Sequence, residues 1–326
     1  MKPWEQLTER GRFRRIRTVA TEALRHFPIT PTSMRLVGGF TNVIFRIDTA
    51  TSTYTLRVDY IQDHTDEDVA VELDWLAALE ESDLDVCRVM PATSGERSVY
   101  AAATGVPEPR RCVLFEWIPG KPLAEDLTPP RYEQLGRLSA SLHIAGKDYQ
   151  PPHQPMAWDK VFYWQEPSDP VVYHLPEHAH HFAGGRMEIL ERAIDAVTPA
   201  FGRLDPKGAQ IIHADLHPWN VHVARSRMIA LDFEDVAWGD RAQDIAITLF
   251  YERDHPEYAD LRAAFETGYR QVAPWPVEYE GQLETFMAAR TIMFVNFMLN
   301  LGEDPKEFYE RAFPRLERFL ERFATS

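Results

Sequence analysis

Cysteine is nearly absent from this 326-residue chain: Cys87 and Cys112 are the two present, with no C-x-x-C pair. That excludes a disulfide framework and thiolate-bound structural zinc, and makes a reducing cytoplasm the expected location. Basic charge is also short. The 35 Lys and Arg stand against 50 Asp and Glu, a net charge of −15, whereas binding nucleic-acid phosphates needs a basic stripe. No nucleic-acid partner is expected. Long apolar runs are missing too. The longest apolar-rich stretch, TIMFVNFMLNL at 291–301, is too short to span a bilayer and is interrupted by Asn296 and Asn300, so no membrane partner is expected. The N-terminal segment MKPWEQLTERGRFRRIRTV has no apolar core of the kind a signal peptide carries.

What remains is the composition of a soluble globular protein, 44% hydrophobic and 26% charged, in a chain long enough for two lobes. Residues 3–27 read as a helix with Leu7, Phe13, Ile16, Val19 and Leu24 among polar residues, ended by Pro28 and Pro31. MRLVGGF leads into NVIFRID, and TYTLRVDY alternates Tyr54, Leu56, Val58 and Tyr60 against Thr55, Arg57 and Asp59, three strand patterns in succession. Asp66 to Glu81 reads as a helix through Val69, Leu73 and Leu76, and two further strands are expected near 97–102 and 111–117. The Pro/Gly punctuation of Ile118-Pro119-Gly120-Lys121-Pro122 marks a boundary, dividing the chain into 1–117 and 118–326. Beyond it the pattern turns helical. One helix starts at Thr128 and Pro129 with Leu135, Leu138 and Leu142 on one stripe, and others are expected at about 184–200, 241–252, 256–271, 279–301 and 304–324. Residues 150–182, rich in Pro, His, Tyr and Trp, show no clear period.

Chemistry concentrates in IIHADLHPWNVHV (211–223) and MIALDFEDVAWGD (228–240). These place Asp215, Asn220 and Asp232 in order between short apolar runs. That spacing suits phosphoryl transfer: one carboxylate holds the attacking hydroxyl, while an amide and a second carboxylate hold a divalent metal on the phosphates. Asn220 and Asp232 are the candidate metal ligands, hard oxygen donors that suit Mg²⁺, and Asp215 is the candidate catalytic residue. His213 is expected to hold the loop through nearby backbone. Val37-Gly38-Gly39-Phe40-Thr41-Asn42 between two strands reads either as an ordinary hairpin turn or as a phosphate-covering loop, with Gly38 and Gly39 admitting phosphates to the backbone and Thr41 or Asn42 adding a donor.

His213-Ala214-Asp215-Leu216-His217-Pro218-Trp219-Asn220 and Asp232-Phe233-Glu234-Asp235 resemble the superfamily of aminoglycoside phosphotransferases, choline kinases and homoserine-kinase-like enzymes, a branch of the protein-kinase-like fold. Glu234, where protein kinases carry Gly, points to that branch. The resemblance implies an α+β, bilobal, protein-kinase-like fold: a small N-lobe with an antiparallel sheet and one main helix, and a larger, mostly helical C-lobe. It also implies ATP and Mg²⁺, with Arg57 on the α- and β-phosphates. Glu72 is then the partner that orients the guanidinium, with Asp68 and Asp74 as competitors. Adenine would meet backbone near Glu116 and Ile118 on a hinge-like strand. His217 stands where a protein kinase has a lysine beside the γ-phosphate, as a weaker donor or a loop-fixing histidine. Asp244 is expected to tether the loop by capping.

Other residues carry two readings. Trp158, Asp159, Tyr163 and Trp164 can form a cation-binding box or pack the loop onto the C-lobe. Arg290 can meet an anionic substrate or form an intrahelical ion pair, the simpler account. The histidines 174, 178, 180 and 181 fit a polar loop better than a zinc site. The expected activity is ATP-dependent phosphorylation of a hydroxyl on a small molecule, cationic or neutral. The alternatives are a Ser/Thr protein kinase of the bacterial stress-response type and a non-catalytic nucleotide-binding regulator. The intact Asp215, Asn220 and Asp232 set weighs against the regulator.

Overall fold

The computed structural model describes residues 2–82, 84–164, 169–225, 227–302 and 304–323. The chain divides into two compact units, Met1–Gly120 with Ala224–Leu231, and Lys121–Val223 with Asp232–Ser326. The first therefore runs three residues past the boundary placed at Trp117 and takes back a later segment, which Ala230 joins through a parallel bridge to Val86.

In the first unit, α1 (Glu9–Ala23) begins at Thr8, whose side chain accepts from the Gly11 amide at 3.2 Å. The helix expected from residue 3 starts late because Leu7 and Thr8 are extended; a short 3₁₀ turn, Trp4–Gln6, precedes them. Then follow β1 (Ser33–Gly39), β2 (Asn42–Asp48), β3 (Thr53–Asp59), α2 (Asp66–Glu81), β4 (Val89–Met90), β5 (Val99–Ala101) and β6 (Arg110–Glu116). The sheet is antiparallel in the order β1-β2-β3-β6-β4, with β5 also on β6. On one face, Val43, Phe45, Ile47, Leu56 and Val58 share a core with Ile16, Val19, Ala20 and Ala23 of α1, the i, i+3, i+4, i+7 stripe of an amphipathic helix. Because β3 is central, its alternate residues are covered too: Leu56, Arg57, Val58 and Asp59 are all buried.

The second unit opens with β7 (Lys121–Pro122), α3 (Pro129–Lys147), β8 (Met156–Ala157), α4 (Arg186–Gly202), β9 (Gln210–Ile212) and β10 (Val221–Ala224). After β11 (Arg227–Ala230) come β12 (Ala237–Gly239), α5 (Arg241–Phe250), α6 (Tyr258–Arg270), α7 (Gln282–Asn300) and α8 (Lys306–Phe323). Residue 324, the last expected in the final helix, lies outside the described residues. α3 and α6 cross at two glycines: a Cβ on Gly136 or Gly268 would drive into the opposing carbonyl, of Phe265 or Glu133 respectively. α3 also presses on β9, where a Cβ on Gly146 would lie 2.7 Å from the Ile211 carbonyl oxygen. β12 pairs parallel with β8 and antiparallel with β9. Among the described residues no helix is long and apolar enough to cross a membrane.

Candidate active site

The nucleotide-side candidates lie in the first unit. The β1–β2 turn is held by the Phe40 amide on the Asn42 carbonyl at 2.9 Å and by the Tyr60 and Ile61 amides on the Thr41 carbonyl at 3.0 and 3.1 Å. Gly38 follows a register shift in the β1–β2 pairing, with nothing within 4 Å of a Cβ built there. Gly39 is needed for packing: its Cβ would lie 2.6 Å from the Phe13 ring of α1. The Asn42 amide nitrogen lies 3.4 Å from the Thr41 hydroxyl.

Arg57 is not a solvent-facing arginine. It is 8% exposed, and its guanidinium grips Glu72, itself 1% exposed, with both carboxylate oxygens, one contact being 2.7 Å. The Phe115 ring lies 5.3 Å from the guanidinium carbon. The competitors are otherwise engaged. Asp68 forms the capping box of α2 with Thr65, and Asp74 pairs with Arg97. Glu116 and Trp117 spend their amides on the sheet, bonding the carbonyls of Arg88 at 2.9 Å and Thr53 at 3.1 Å. Ile118 follows directly.

The catalytic-side candidates lie in the second unit, on the loop between β9 and β10. Ala214 has φ 60°, a left-handed conformation costing about 1–2 kcal/mol for a residue with a Cβ. Its amide donates to Asp244 Oδ1 at 2.7 Å, which holds that turn in place. Asp244 is fully buried and contacts His143 Nε2 at 2.8 Å, while His143 Nδ1 lies 2.8 Å from the Tyr269 hydroxyl. Burial opposes ionisation of Asp244, but the His143 hydrogen bond, the attraction of His143 and His213 and the Ala214 amide together hold its carboxyl below the usual range. Asp244 tethers the loop as expected, through the Ala214 amide, and is itself held by His143 of α3, while the N-terminus of α5 is capped by Asp240 with Gln243. His213 holds backbone as expected, its Nδ1 accepting from the Asp215 amide at 3.3 Å.

Four donors converge on Asp215. Arg290 Nη2 and the Tyr251 hydroxyl each lie 3.0 Å from Oδ1; Asn220 Nδ2 lies 3.1 Å and His217 Nε2 3.3 Å from Oδ2. Burial raises the carboxyl, yet the His217 hydrogen bond and the attraction of His217, Arg290 and His213 outweigh it and hold Asp215 below the usual carboxylate range. His217 also fixes the loop, its Nδ1 accepting from the Trp219 amide at 3.2 Å and its ring tilted against Tyr251 with centroids 4.3 Å apart. Asn220 donates to the Asp215 carbonyl at 3.0 Å as well, so its nitrogen is committed and its carbonyl oxygen is the atom left to face a cation. Asp232 is exposed and has φ 61°, a left-handed conformation that Asp tolerates better than most residues. The two segments meet where the His213 and Phe233 rings lie 4.4 Å apart.

One sequence reading changes here, and one left open is decided for packing. Arg290 makes no intrahelical pair; it reaches from α7 to Asp215, 75 residues away in sequence, and to the Tyr163 hydroxyl at 3.1 Å. Trp158 and Tyr163 stack at 4.8 Å inside a core with Ile212, Ala214 and Met293, so neither lines an open cleft. The cation against the remaining aromatics is the chain's own, with Arg290 5.2 Å from Trp164 and 4.6 Å from Phe294. Asp159 is exposed. Tyr251 and His143 were missed by sequence reasoning. His143, polar and next to Leu142 of the apolar stripe in α3, was the readable signal, whereas nothing near Tyr251 in sequence marks it. Among the described residues, no group of three or more His, Cys, Asp or Glu is gathered to hold a metal.

The family described as "Phosphotransferase enzyme family" matches residues 33–275, three quarters of the chain. The chain belongs to that family. Amicoumacin kinase of Bacillus subtilis (strain 168) is 24% identical over 255 residues, 76% of this chain and 71% of that protein. An uncharacterised protein of Synechocystis sp. (strain ATCC 27184 / PCC 6803 / Kazusa) is 27% identical over 250 residues, 74% of this chain and 66% of that one, just under two thirds of its length. Among solved structures, a microcompartment-associated aminopropanol kinase superposes with a TM-score of 0.76 at 25% identity, covering 95% of this chain and 99% of that one. Amicoumacin kinase hAmiN, in complex with AMP-PNP and Ca²⁺, shares the fold with a TM-score of 0.76 at 18% identity. The α+β, protein-kinase-like fold expected from the sequence is therefore this phosphotransferase fold, and the relatives with named activities are kinases of small molecules.

Proposed function

We propose that this phosphotransferase moves the γ-phosphoryl group of ATP to a hydroxyl of a small amino alcohol. The carrying observation is the placement of Asp215: its carboxylate is fixed by four donors, on a loop whose left-handed turn is tied down by Asp244. A carboxylate so held has little freedom to lose when it orients an acceptor hydroxyl in line with the γ-phosphorus. Arg57, buried and aligned by Glu72, is the cation for the α- and β-phosphates. The glycines of the β1–β2 turn, with Thr41 and Asn42, cover the phosphates, and backbone at Glu116 and Ile118 reads adenine. His217, engaged by Asp215 through Nε2 and by the Trp219 amide through Nδ1, takes the loop-fixing role.

Asn220 and Asp232 would hold the divalent cation. Their fit rests on donor chemistry: one amide oxygen, the nitrogen being committed to Asp215, and one carboxylate. Two protein oxygens suit Mg²⁺, which keeps water and phosphate oxygens in its shell. When bound, it would neutralise charge on the phosphates. Support for the nucleotide and cation comes from the hAmiN complex with AMP-PNP and Ca²⁺. Support for the acceptor class comes from the aminopropanol kinase. β12 and α5 follow Asp232 within a few residues, leaving little chain for a protein-substrate platform.

The test incubates the purified chain with Mg·ATP and 1-aminopropan-2-ol, ethanolamine, choline, homoserine, aminoglycosides or casein. Phosphorylation of an amino alcohol above the rate of ATP hydrolysis is expected. Asp215→Asn should keep nucleotide binding and lose about 10²–10⁴ in kcat. Turnover on casein alone, or near-normal turnover in Asp215→Asn, would remove the reading.

A further inference from the structure

Arg290 is a charge in an unusual place. It lies in the middle of α7, 2% exposed, on a helix where Phe286, Met287, Ala289, Ile292 and Met293 are buried around it. Burying a guanidinium is costly unless it is paired, and the pair seen is not a structural acid elsewhere in the core but Asp215 itself. The guanidinium is also partly committed: Nη1 to Tyr163, Nη2 to Asp215, with the aromatic faces of Trp164 and Phe294 beside it, while Nε has no hydrogen-bond partner among the described residues. Although burial disfavours its charge, Tyr163, Tyr251, Asp215 and Asp235 keep it protonated.

The two oxygens of Asp215 are consequently dressed differently. Oδ1 accepts from a fixed cation and from Tyr251, both rooted in helices or their ends; Oδ2 faces Asn220 and His217, which belong to the loop itself. A proton delivered to Oδ1 would sit against a permanent positive charge. We propose that Arg290 is a positioning residue for phosphoryl transfer: it anchors Asp215 through Oδ1 and so presents Oδ2 to the acceptor hydroxyl. In the step this implies, the hydroxyl oxygen bonds to the γ-phosphorus. The bond from that phosphorus to the β,γ-bridging oxygen breaks, with its electron pair leaving on ADP, and the hydroxyl proton passes to Oδ2 and then to solvent. Tyr251 supports the same orientation from the other side of Oδ1. The inference rests on the proposed reaction and adds a residue to it, drawn from a helix far from both sequence motifs.

The experiment follows Mg·ATP turnover with 1-aminopropan-2-ol, and in parallel ATP hydrolysis without acceptor, for wild type, Arg290→Met, Arg290→Lys, Arg290→Ala and the double variant Asp215→Asn/Arg290→Met. Methionine suits the apolar surroundings, so a thermal melt shows whether the variant folds. Expected are a fall in kcat of about 10²-fold in Arg290→Met at unchanged KM for ATP, as a misaligned reacting group costs, a smaller loss in Arg290→Lys, and partial recovery of Arg290→Ala on adding guanidinium at millimolar concentration. The double variant should be no slower than Asp215→Asn alone, because Arg290 acts through that carboxylate. A merely structural arginine would instead give losses that multiply with Asp215→Asn, track the melting temperature and ignore guanidinium; that pattern overturns the inference, as does full activity in Arg290→Met. If the wild type neither phosphorylates the amino alcohol nor hydrolyses ATP, the underlying reaction falls and the inference with it. Wild-type activity that survives in Arg290→Met sinks the inference alone.

Discussion

At the scale of single residues, the loop that carries Asp215 is fixed in part by groups outside its own motif. Ala214 is held left-handed by Asp244, Asp244 by His143, and His143 by Tyr269. Asp232 takes its own left-handed turn directly after the strand that delivers it. Its proposed part is narrow, the carboxylate contact to the divalent cation, and this makes it separable from Asp215. Asp232→Ala should fold, as the side chain is exposed, yet lose Mg²⁺-dependent ATP binding, because the triphosphate loses a protein-held counter-ion. Calorimetry with and without EDTA reads this: equal Mg·ATP affinity in the variant and the wild type would show the assignment to be wrong. The sequence made Asp215, Asn220 and Asp232 legible because their spacing is local. The pairing of Arg57 with Glu72 was legible because a strand followed by a helix brings one predictable register. Arg290 and Tyr251 were not, since the contact runs across 75 and 36 residues and helical periodicity says which face is buried, not what the opposite wall offers.

At the scale of elements, the least legible part was the aperiodic 150–182 stretch, and the structure shows why it lacks a period. Its ordering groups are on another helix. Asn296 of α7 accepts from the amides of Val172 and Tyr173 at 2.7 and 3.2 Å, and Asn300 donates to Asp169 at 2.6 Å and to the Pro170 carbonyl at 2.9 Å. The two asparagines that interrupt the apolar run at 291–301 are the residues that strap this segment down. Asp169 is buried, and that burial pushes its carboxyl up to about 6, against the opposing pull of Asn300 and Asn296. An ordinary aspartate titrates near 3.9, so between roughly pH 4 and 6 the native chain keeps a proton that the unfolded chain gives up. This group's contribution is therefore fullest below about pH 4 and is lost as pH rises through about 6. Asp169→Asn, neutral throughout and still able to accept from both amides, should melt higher than the wild type at pH 7.5 and level with it near pH 4. Thermal melts at the two pH values decide; the same difference at both would mean that Asp169 is not protonated in the fold. Main element positions were legible where apolar periodicity is strong, as in α1, α2 and α5 to α8. The two- and three-residue strands β4, β7, β8, β9 and β12 were only partly so, since so short a run carries no alternation to read.

At the scale of the whole molecule, the charge of −15 has to be placed before it says anything about ligands. The buried cations do not offset it evenly. Arg57 is matched by Glu72, Arg290 by Asp215, and Arg111 lies between Asp59 and Asp66. These pairs cancel locally, so the surplus negative charge belongs to the more exposed acids. Near the proposed chemistry lie the exposed Asp232 and the half-buried Glu234 and Asp235. Such a surface raises the local concentration of a cationic acceptor and lowers that of an anionic one. Arg290 does not reverse this, because its charge is enclosed by Asp215, Tyr163 and two aromatic rings. A protonated amino alcohol should therefore show a KM that climbs as sodium chloride is raised from about 20 to about 300 mM, where the screening length falls from roughly 20 Å to below 10 Å. A neutral diol of the same size, run as the control, should show little change, and kcat should stay level for both, since screening weakens the approach and not the chemistry. Equal salt response of the cation and the diol would leave the field no part in acceptor choice, and efficient turnover of an anionic acceptor would reverse the sign of the argument.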